Sequence, residues 1–487
     1  MCIRDSIDND GDPDMYVTTV RGGNAMFLNQ GGGKFEDVTE SMGLAYTGHS
    51  SGVVFFDYDK DGWLDLFVTN VGSYTTEKKG KGDYYRAFGS AFSGHLNPYL
   101  TERSILYRNV DGKKFEDVSE RTKLQDDSWS GDATPVDVNG DGWLDLYVLD
   151  MQGHDEYFEN VAGSDGREFV NRRAEVFPRT PWGAMGVKAF DYDNDGDMDI
   201  YITDMHSDMS VGVGVEDEKR KANMKWPESM LKSGGNSIYG NAFFENRDGK
   251  YVEVSDSNGT ENYWPWGLST GDLNADGFED LFVASSMNYP LRYGVNSVLL
   301  NENGKNFVDA EFAVGVEPRR DGLTAKPWFE LDLDGDDKGH KDAKKVGATS
   351  GKMTVWGALG SRSSVIFDYD NDGDLDIITN EFHSEPMVLE NNLSEQKSLN
   401  WLKVHLVGTR SNRDGLGAKV EVVLSGGSRY TKVHDGKSGY LSQSSHDLYF
   451  GLADQSAVEK VVVTWPSGIS QKVSPEKVNQ RITIEEQ

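Results

Sequence analysis

A nine-residue pattern, Asp-x-Asp/Asn-x-Asp-Gly-x-x-Asp, recurs along this chain. It stands at Asp57, Asp59, Asp61 and Asp65, and again at Asp137, Asn139, Asp141 and Asp145. Further copies are Asp191, Asp193, Asp195 and Asp199; Asp272, Asn274, Asp276 and Asp280; and Asp368, Asp370, Asp372 and Asp376. A sixth, at the N-terminus, keeps Asp8, Asp10, Gly11 and Asp14 but has Ser6 where the first aspartate should be. Alternate residues of a tight loop can turn three oxygens to one side, and glycine at the sixth position permits the sharp turn. The aspartate at the ninth position closes the cage. Six to eight hard oxygen ligands at about 2.3–2.6 Å are what Ca2+ takes. The spacing therefore predicts several calcium ions, about one per copy, with these aspartates and asparagines as ligands. A single copy would read equally well as an Asp/Gly-rich surface turn. Six with one spacing leave that reading little room.

An EF-hand loop begins the same way but needs glutamate at its twelfth position, between two helices. Here that position holds Val68, Val148, Ile202, Val283 or Thr379. The residues that follow each loop are apolar and β-favouring, as in Leu64-Asp65-Leu66-Phe67-Val68-Thr69. A strand such as Gly52-Val53-Val54-Phe55-Phe56 precedes the loop. A third strand and a short Gly-containing turn lead to a fourth, as in Ile105 to Asn109 and Phe115 to Val118. Four short antiparallel strands per repeat describe a blade of a β-propeller, with the acidic loop between the first and second strands. The predicted fold class is all-β.

Composition narrows the function classes. Of 487 residues, 81 are acidic and 49 basic, for a formal charge of -32. That balance repels nucleic acid and anionic membrane surfaces. Disorder is opposed by the regularly spaced aromatics, which are 11% of the chain. One cysteine, Cys2, excludes an internal disulfide. No apolar run has the length of a membrane span. Met1 to Ser6 is too short and too charged for a signal peptide and runs straight into a repeat without its beginning. A truncated N-terminus, with its export signal lost, is the expectation.

The loops and their flanks, over residues 6–392, resemble FG-GAP/VCBS-type calcium repeats, the kind found in integrin-like propellers. The resemblance implies a propeller with six recognisable blades here and seven when complete. Beyond Asn391-Asn392 the texture changes. Ser411-Asn412-Arg413-Asp414-Gly415-Leu416-Gly417-Ala418, Gly439-Tyr440-Leu441-Ser442-Gln443 and Trp465-Pro466-Ser467-Gly468, in this order, resemble the ASPIC/UnbV domain. That domain follows such repeats in the cartilage acidic protein family and in many bacterial secreted proteins. The expected division is a propeller over 1–395 and a small C-terminal β domain over 396–487. By themselves the first and third phrases read as turn chemistry. Asp332-Leu333-Asp334-Gly335-Asp336-Asp337 misplaces its glycine and lacks the ninth aspartate, and reads as a charged insertion.

In such a meander the acidic loops share one face with the short third-to-fourth hairpins. The long connections, about 70–102, 204–237, 285–295 and 311–357, fall on the other face. Long loops in compact domains carry function or are disordered, so the elaborated face is the expected binding face. Trp129, Trp182, Trp264, Trp266 and Trp356 lie on this route. They read either as an aromatic rim or, residue by residue, as wedges between blades. His154, His206 and His383 follow the loops at similar distances and would be a transition-metal site if they met near the axis. Solvated or backbone-bonded loop residues are the plainer reading. Glu218-Lys219-Arg220-Lys221 reads as a solvated loop tip. No nucleophile elbow, Ser-His-Asp order or phosphate-cradling loop is present.

The expected function is an extracellular calcium-binding module for ligand binding or adhesion, with a glycan or a protein as partner. The location would be the cell surface, the periplasm or the medium. The alternative is a polysaccharide-acting or metal-dependent enzyme with its site on the long-loop face, and a third reading is a structural spacer.

Overall fold

Each short apolar segment flanked by Gly and Asp becomes a strand of an antiparallel sheet. The structure, a computed structural model, describes all residues except 1, 82, 84, 89–96, 206–236, 263, 287–292 and 383. Five sheets carry four blade strands each and a sixth carries three. Their first strands are Cys2–Asp5, Ser50–Phe56, Ser130–Val136, Ala184–Phe190, Pro265–Gly271 and Ser361–Phe367. In every sheet the spatial order is the chain order, first to fourth, and the acidic loop joins the first two strands. The helices described are single turns, such as Arg173–Val176 and Leu393–Gln396.

Side-chain alternation decides how the sheets pack. Val53 and Phe55 of one strand join a core with Ile3 and Tyr16 of the first sheet. Val54 and Phe56 point the other way, into a core with Leu146 and Val148 of the third. The same division recurs to the sixth sheet, where Phe282 and Val298 meet Ile366 and Ile377. Buried on both faces, second strands such as Asp65–Asn70 and Asp145–Asp150 are buried at every residue. The outermost strand Phe35–Asp37 is exposed throughout.

An asparagine at the end of each third strand ties one sheet to the next. Asn109 donates from Nδ2 to the Leu64 carbonyl of its own sheet (3.1 Å) and to the Ile7 carbonyl of the preceding sheet (2.8 Å). Asn160 reaches Tyr58, Asn301 reaches Tyr192, and Asn391 reaches Leu273 in the same way. Asn246 instead donates to the Tyr251 hydroxyl at 3.5 Å. At that junction a cavity of about 420 Å³ opens, lined by Val138, Asn246 and Trp465.

The C-terminal residues form two further sheets around a separate core of Leu402, Val404, Val420, Val422, Phe450, Val461 and Trp465. One pairs Trp401–Val407 in parallel with Gln480–Glu485. The other is built on Lys419–Leu424 and Val458–Thr464. From this pair of sheets the segment 435–443 reaches the first strands of all six preceding sheets. Gln443 donates to Asp5 (3.1 Å), and the Tyr440 hydroxyl pairs with Ser51. Lys437 sits on Asp132 (2.6 Å), and Asp435 takes both its oxygens to Lys188 (2.7 Å). Gly439 passes so close to Leu268 that a Cβ there would lie 1.9 Å from its carbonyl oxygen, and Tyr440 packs against Gly267 beside the Arg362 carbonyl. The close approach at Gly439, with φ near +148°, excludes any side chain.

The connections differ in what they build. Ala325–Asp332 and Lys352–Ala358 form a hairpin whose turn holds Asp332 to Asp337, so that segment is an insertion and not a first-to-second-strand loop. Thr75–Lys79 and Tyr85–Ala87 form a smaller hairpin.

Two substitutions follow from this packing. Asn109→Ala leaves the two buried carbonyls of Ile7 and Leu64 without this partner and is expected to lower unfolding stability by about 1–3 kcal/mol, read by denaturant titration. Lys437→Met strands the Asp132 carboxylate and should cost about 3–5 kcal/mol. Adding Asp132→Asn to that variant should restore part of the loss, and a double mutant no better than the single would show that the pair is not coupled.

Candidate metal centres

Each acidic loop is shaped by its own carboxylates before any ion is considered. The first aspartate accepts the N–H of the sixth-position glycine: Asp57 from Gly62 (2.9 Å), Asp137 from Gly142 (2.8 Å), Asp191 from Gly196 (3.0 Å), Asp272 from Gly277 (2.7 Å) and Asp368 from Gly373 (3.0 Å). In the N-terminal copy the Ser6 hydroxyl accepts the same bond from Gly11 at 3.0 Å. A serine thus keeps the turn while giving up the charge. These glycines have φ between 86° and 103°, a region costly to any residue with a Cβ.

The ninth aspartate works differently. Its two oxygens accept the N–H of the second loop residue and the N–H of the third-strand asparagine. Asp65 does so with Tyr58 (3.1 Å) and Asn109 (2.8 Å), and Asp280 with Leu273 (2.9 Å) and Asn301 (2.8 Å). Asp14, Asp145, Asp199 and Asp376 repeat the arrangement. These asparagines recur at one place in every repeat, a signal present in the sequence but carrying no role in the loop pattern.

Three loops gather acidic oxygens within 4.8 Å of one another: Asp57, Asp59 and Asp61; Asp191, Asp193 and Asp199; and Asp368, Asp370 and Asp376. In the third and fifth loops Asn139 and Asn274 offer an amide oxygen at the third position, where each also accepts a backbone N–H at 3.0 and 2.9 Å. Burial, and then the neighbouring carboxylates, push Asp57 and Asp191 up to about 7 and Asp199 to about 9. Asp272 is likewise pushed to about 7. One oxygen each of Asp59 and Asp368 is buried without a hydrogen-bond partner. Buried carboxylates in mutual repulsion, with unpartnered oxygens, fit a hard divalent cation. Part of the charge is met by protein cations: Arg108 bonds Asp59 at 2.7 Å and also Asp61, and Lys403 bonds Asp368 at 2.5 Å.

The C-terminal sheets lie against this face. Lys432 pairs with Glu279 in the fifth loop, and Lys419 donates to the Gly196 carbonyl (2.9 Å) in the fourth. Arg413 takes the Asn9 amide oxygen on its N–H (2.8 Å) in the first, and the Tyr449 hydroxyl donates to the Gly373 carbonyl (3.0 Å) in the sixth. Arg410 closes on Gly62 in the second, and Gly417 on Leu144 in the third.

The other residues singled out do not assemble into one site. Trp129 and Trp264 are buried, Trp182 stacks edge-on against His154, and Trp356 stands 54% exposed on the inserted hairpin. His154 faces Thr180 (3.5 Å) and is pulled below its usual range by burial. His206, His383 and the run Glu218 to Lys221 lie outside the described residues, as does most of 204–237. Among the described residues no helix is long and apolar enough to cross a membrane.

Sheets with an acidic loop at each first turn, followed by a β unit on the loop face, agree with two family models. The chain carries FG-GAP-like repeats, matched at residues 7–68 and 137–202, and an ASPIC and UnbV domain, matched at 408–487. It is similar to cartilage acidic protein 1 of Xenopus tropicalis, 26% identical over 277 residues, which is 50% of this chain and 41% of that protein. It is also similar to cartilage acidic protein 1 of Mus musculus (34%) and Homo sapiens (33%), each over 125 residues and 25% of this chain. Those matches span 19% and 18% of the two mammalian proteins, so the chain spans less than half the length of each of these relatives. Among solved structures, the V. cholerae biofilm matrix protein Bap1 aligns with a TM-score of 0.27 at 10% identity, over 88% of this chain and 60% of that one. The rhamnogalacturonan lyase YesW aligns with a TM-score of 0.35 at 10% identity, over 100% and 72%. Likenesses this weak bear on neither fold nor function.

The raised carboxylates set a pH test. An aspartate whose folded value exceeds its unfolded one stabilises the fold below the unfolded value, and that contribution is lost as pH rises through the folded one. For Asp57, Asp191 and Asp272 the window runs from 3.8 to about 7. Chelated protein is therefore expected to melt at falling temperature from about pH 4 to about pH 7, while calcium-loaded protein holds its melting temperature. Identical profiles with and without calcium would remove the loops as ion sites.

Proposed function

We propose that this chain is an extracellular, calcium-braced β-propeller that acts as a binding or adhesion module for a glycan or a protein. In this reading residues 1–395 form the propeller and 396–487 the C-terminal domain. The observation that carries it is the convergence of six first strands on the one segment 435–443. Sheets that pack face to face in chain order, with their first strands around one segment, are the blades of a disc around its axis.

Calcium at the twenty-three loop positions named above would bridge carboxylates that otherwise repel, linking metal binding to folding. Six ions add twelve charges to a formal -32 and leave -20. Loops of extracellular modules bind with dissociation constants of about 10⁻⁴–10⁻³ M, too weak to fill at cytosolic calcium levels. This supports a location outside the cytoplasm.

The C-terminal sheets cover the loop face, so the long connections belong to the face left for a partner. Calcium-loaded protein tested against a panel of glycans and matrix proteins is expected to bind at least one of them. Deleting the connections within 70–102 and 204–237 should weaken that binding. Undiminished binding after both deletions would place the ligand elsewhere.

A further inference from the structure

Where the first strand of the sixth sheet begins, on the side away from its acidic loop, Arg362 lays its guanidinium 3.6 Å from the centre of the Trp266 ring. It lies 4.9 Å from the centre of the Phe382 ring. Trp266 belongs to the first strand of the fifth sheet, and its indole N–H is fixed on the Ser286 carbonyl at 2.6 Å. Trp328, at the bulge of the inserted hairpin, meets Phe382 edge-on at 5.4 Å. From the axis, the ring of Tyr440 comes to 6.4 Å of Trp266. Two sheets, an inserted hairpin and the tip of the C-terminal segment therefore close around one guanidinium. Arg362, Trp266, Phe382 and Trp328 are each half-buried.

The anomaly is the charge balance of this spot. The guanidinium meets no carboxylate and no carbonyl within hydrogen-bond reach among the described residues. By contrast, Arg319 is held by Glu381 and Ser361, and Lys326 by the Ser384 hydroxyl (3.0 Å). Unlike many unpaired cations on this surface, Arg362 is enclosed by aromatic rings rather than by solvent alone. Burial also lowers the Arg362 pKa, to about 10. Five N–H donors on a stacked guanidinium match a planar or tetrahedral oxyanion. The aromatic rings around it offer flat apolar walls of the kind on which sugar rings stack.

We propose that Arg362, walled by Trp266, Phe382 and Trp328, binds the carboxylate or sulfate of an acidic sugar on the face opposite the acidic loops. The inference deepens the binding-module reading and rests on it. A polyanion tracking a long groove is disfavoured by the protein's net negative charge, whereas a single stacked site needs only local charge. A sugar places its charge on a rigid ring, which is the geometry a guanidinium beside aromatic faces selects.

Binding of oligogalacturonate and of heparin oligosaccharide to the calcium-loaded full chain, with neutral cello-oligosaccharide and polyglutamate alongside, tests the proposal by calorimetry. At least one acidic sugar should bind, more weakly as salt rises. Arg362→Gln should reduce its affinity more than tenfold with an unchanged melting temperature. Trp328→Ala, which sits at the rim, should weaken it severalfold and guards against a folding defect in the first variant. Preference for oligogalacturonate assigns a carboxylate, and preference for heparin a sulfate. Equal binding by the wild type and Arg362→Gln, Arg362 dependence for polyglutamate alone, or no acidic sugar bound would overturn the proposal. If a different ligand is lost on deleting 70–102 or 204–237 but kept by Arg362→Gln, this site fails while the binding face stands.

Discussion

A carboxylate removed from water has to be met by N–H donors or by positive charge, and this fold imposes that demand at both ends of every acidic loop. Asp65, Asp145, Asp199 and Asp280 are buried, and each spends its two oxygens on one backbone N–H of the loop and one of the third strand. The ninth position is thereby a structural joint whether or not an ion is bound. At the first position the demand is met only in part, because Asp57, Asp191 and Asp272 are buried beside further carboxylates. The ninth residue thus has two roles: it shapes the loop, and as Asp199 and Asp376 it also stands in the acidic clusters that ask for a cation.

The asparagine joint extends this from loop to disc. Asn109, Asn160, Asn301 and Asn391 each bind the ninth aspartate through the backbone and a carbonyl of the preceding sheet through the side chain. Perturbing one loop is therefore felt by its neighbour, and stability should spread along the ring of sheets much as it does in repeat proteins. The junction of the third and fourth sheets lacks this bond, and the cavity there is the visible consequence.

Local patterns were legible and remote ones were not. The six loops, their place between the first and second strands, the four-strand order and the β character of the C-terminus all follow from spacing and period. Tyr440 and Lys437 carried no such signal. Their partners Ser51, Asp132 and Gly267 lie far away in sequence, and only the packing of the C-terminal segment onto the first strands brings them together. The phrase Gly439 to Gln443 was conspicuous, yet its reason is the Leu268 carbonyl against Gly439, a contact no periodicity encodes. The tryptophans divide for a similar reason: Trp129 and Trp264 fill space inside, while Trp266 is held half-open by the arginine across from it.

The C-terminal sheets explain how so acidic a face is tolerated. Lys403, Lys419, Lys432 and Lys437 all turn toward acids or carbonyls of the preceding sheets, so the cap supplies charge where the loops concentrate it. Each long lysine stem also covers apolar surface as it reaches in. Lys437 and Asp132 form the deepest of these pairs, and their desolvation makes the pair a fixing device rather than a source of net stability. The cap's lysines meet charge on the loop face, while on the other side Arg362 stacks on Trp266 with no acid partner among the described residues. Buried charge is therefore handled differently at the two ends of these sheets: pairing closes one, and at the other an arginine is met by aromatic faces.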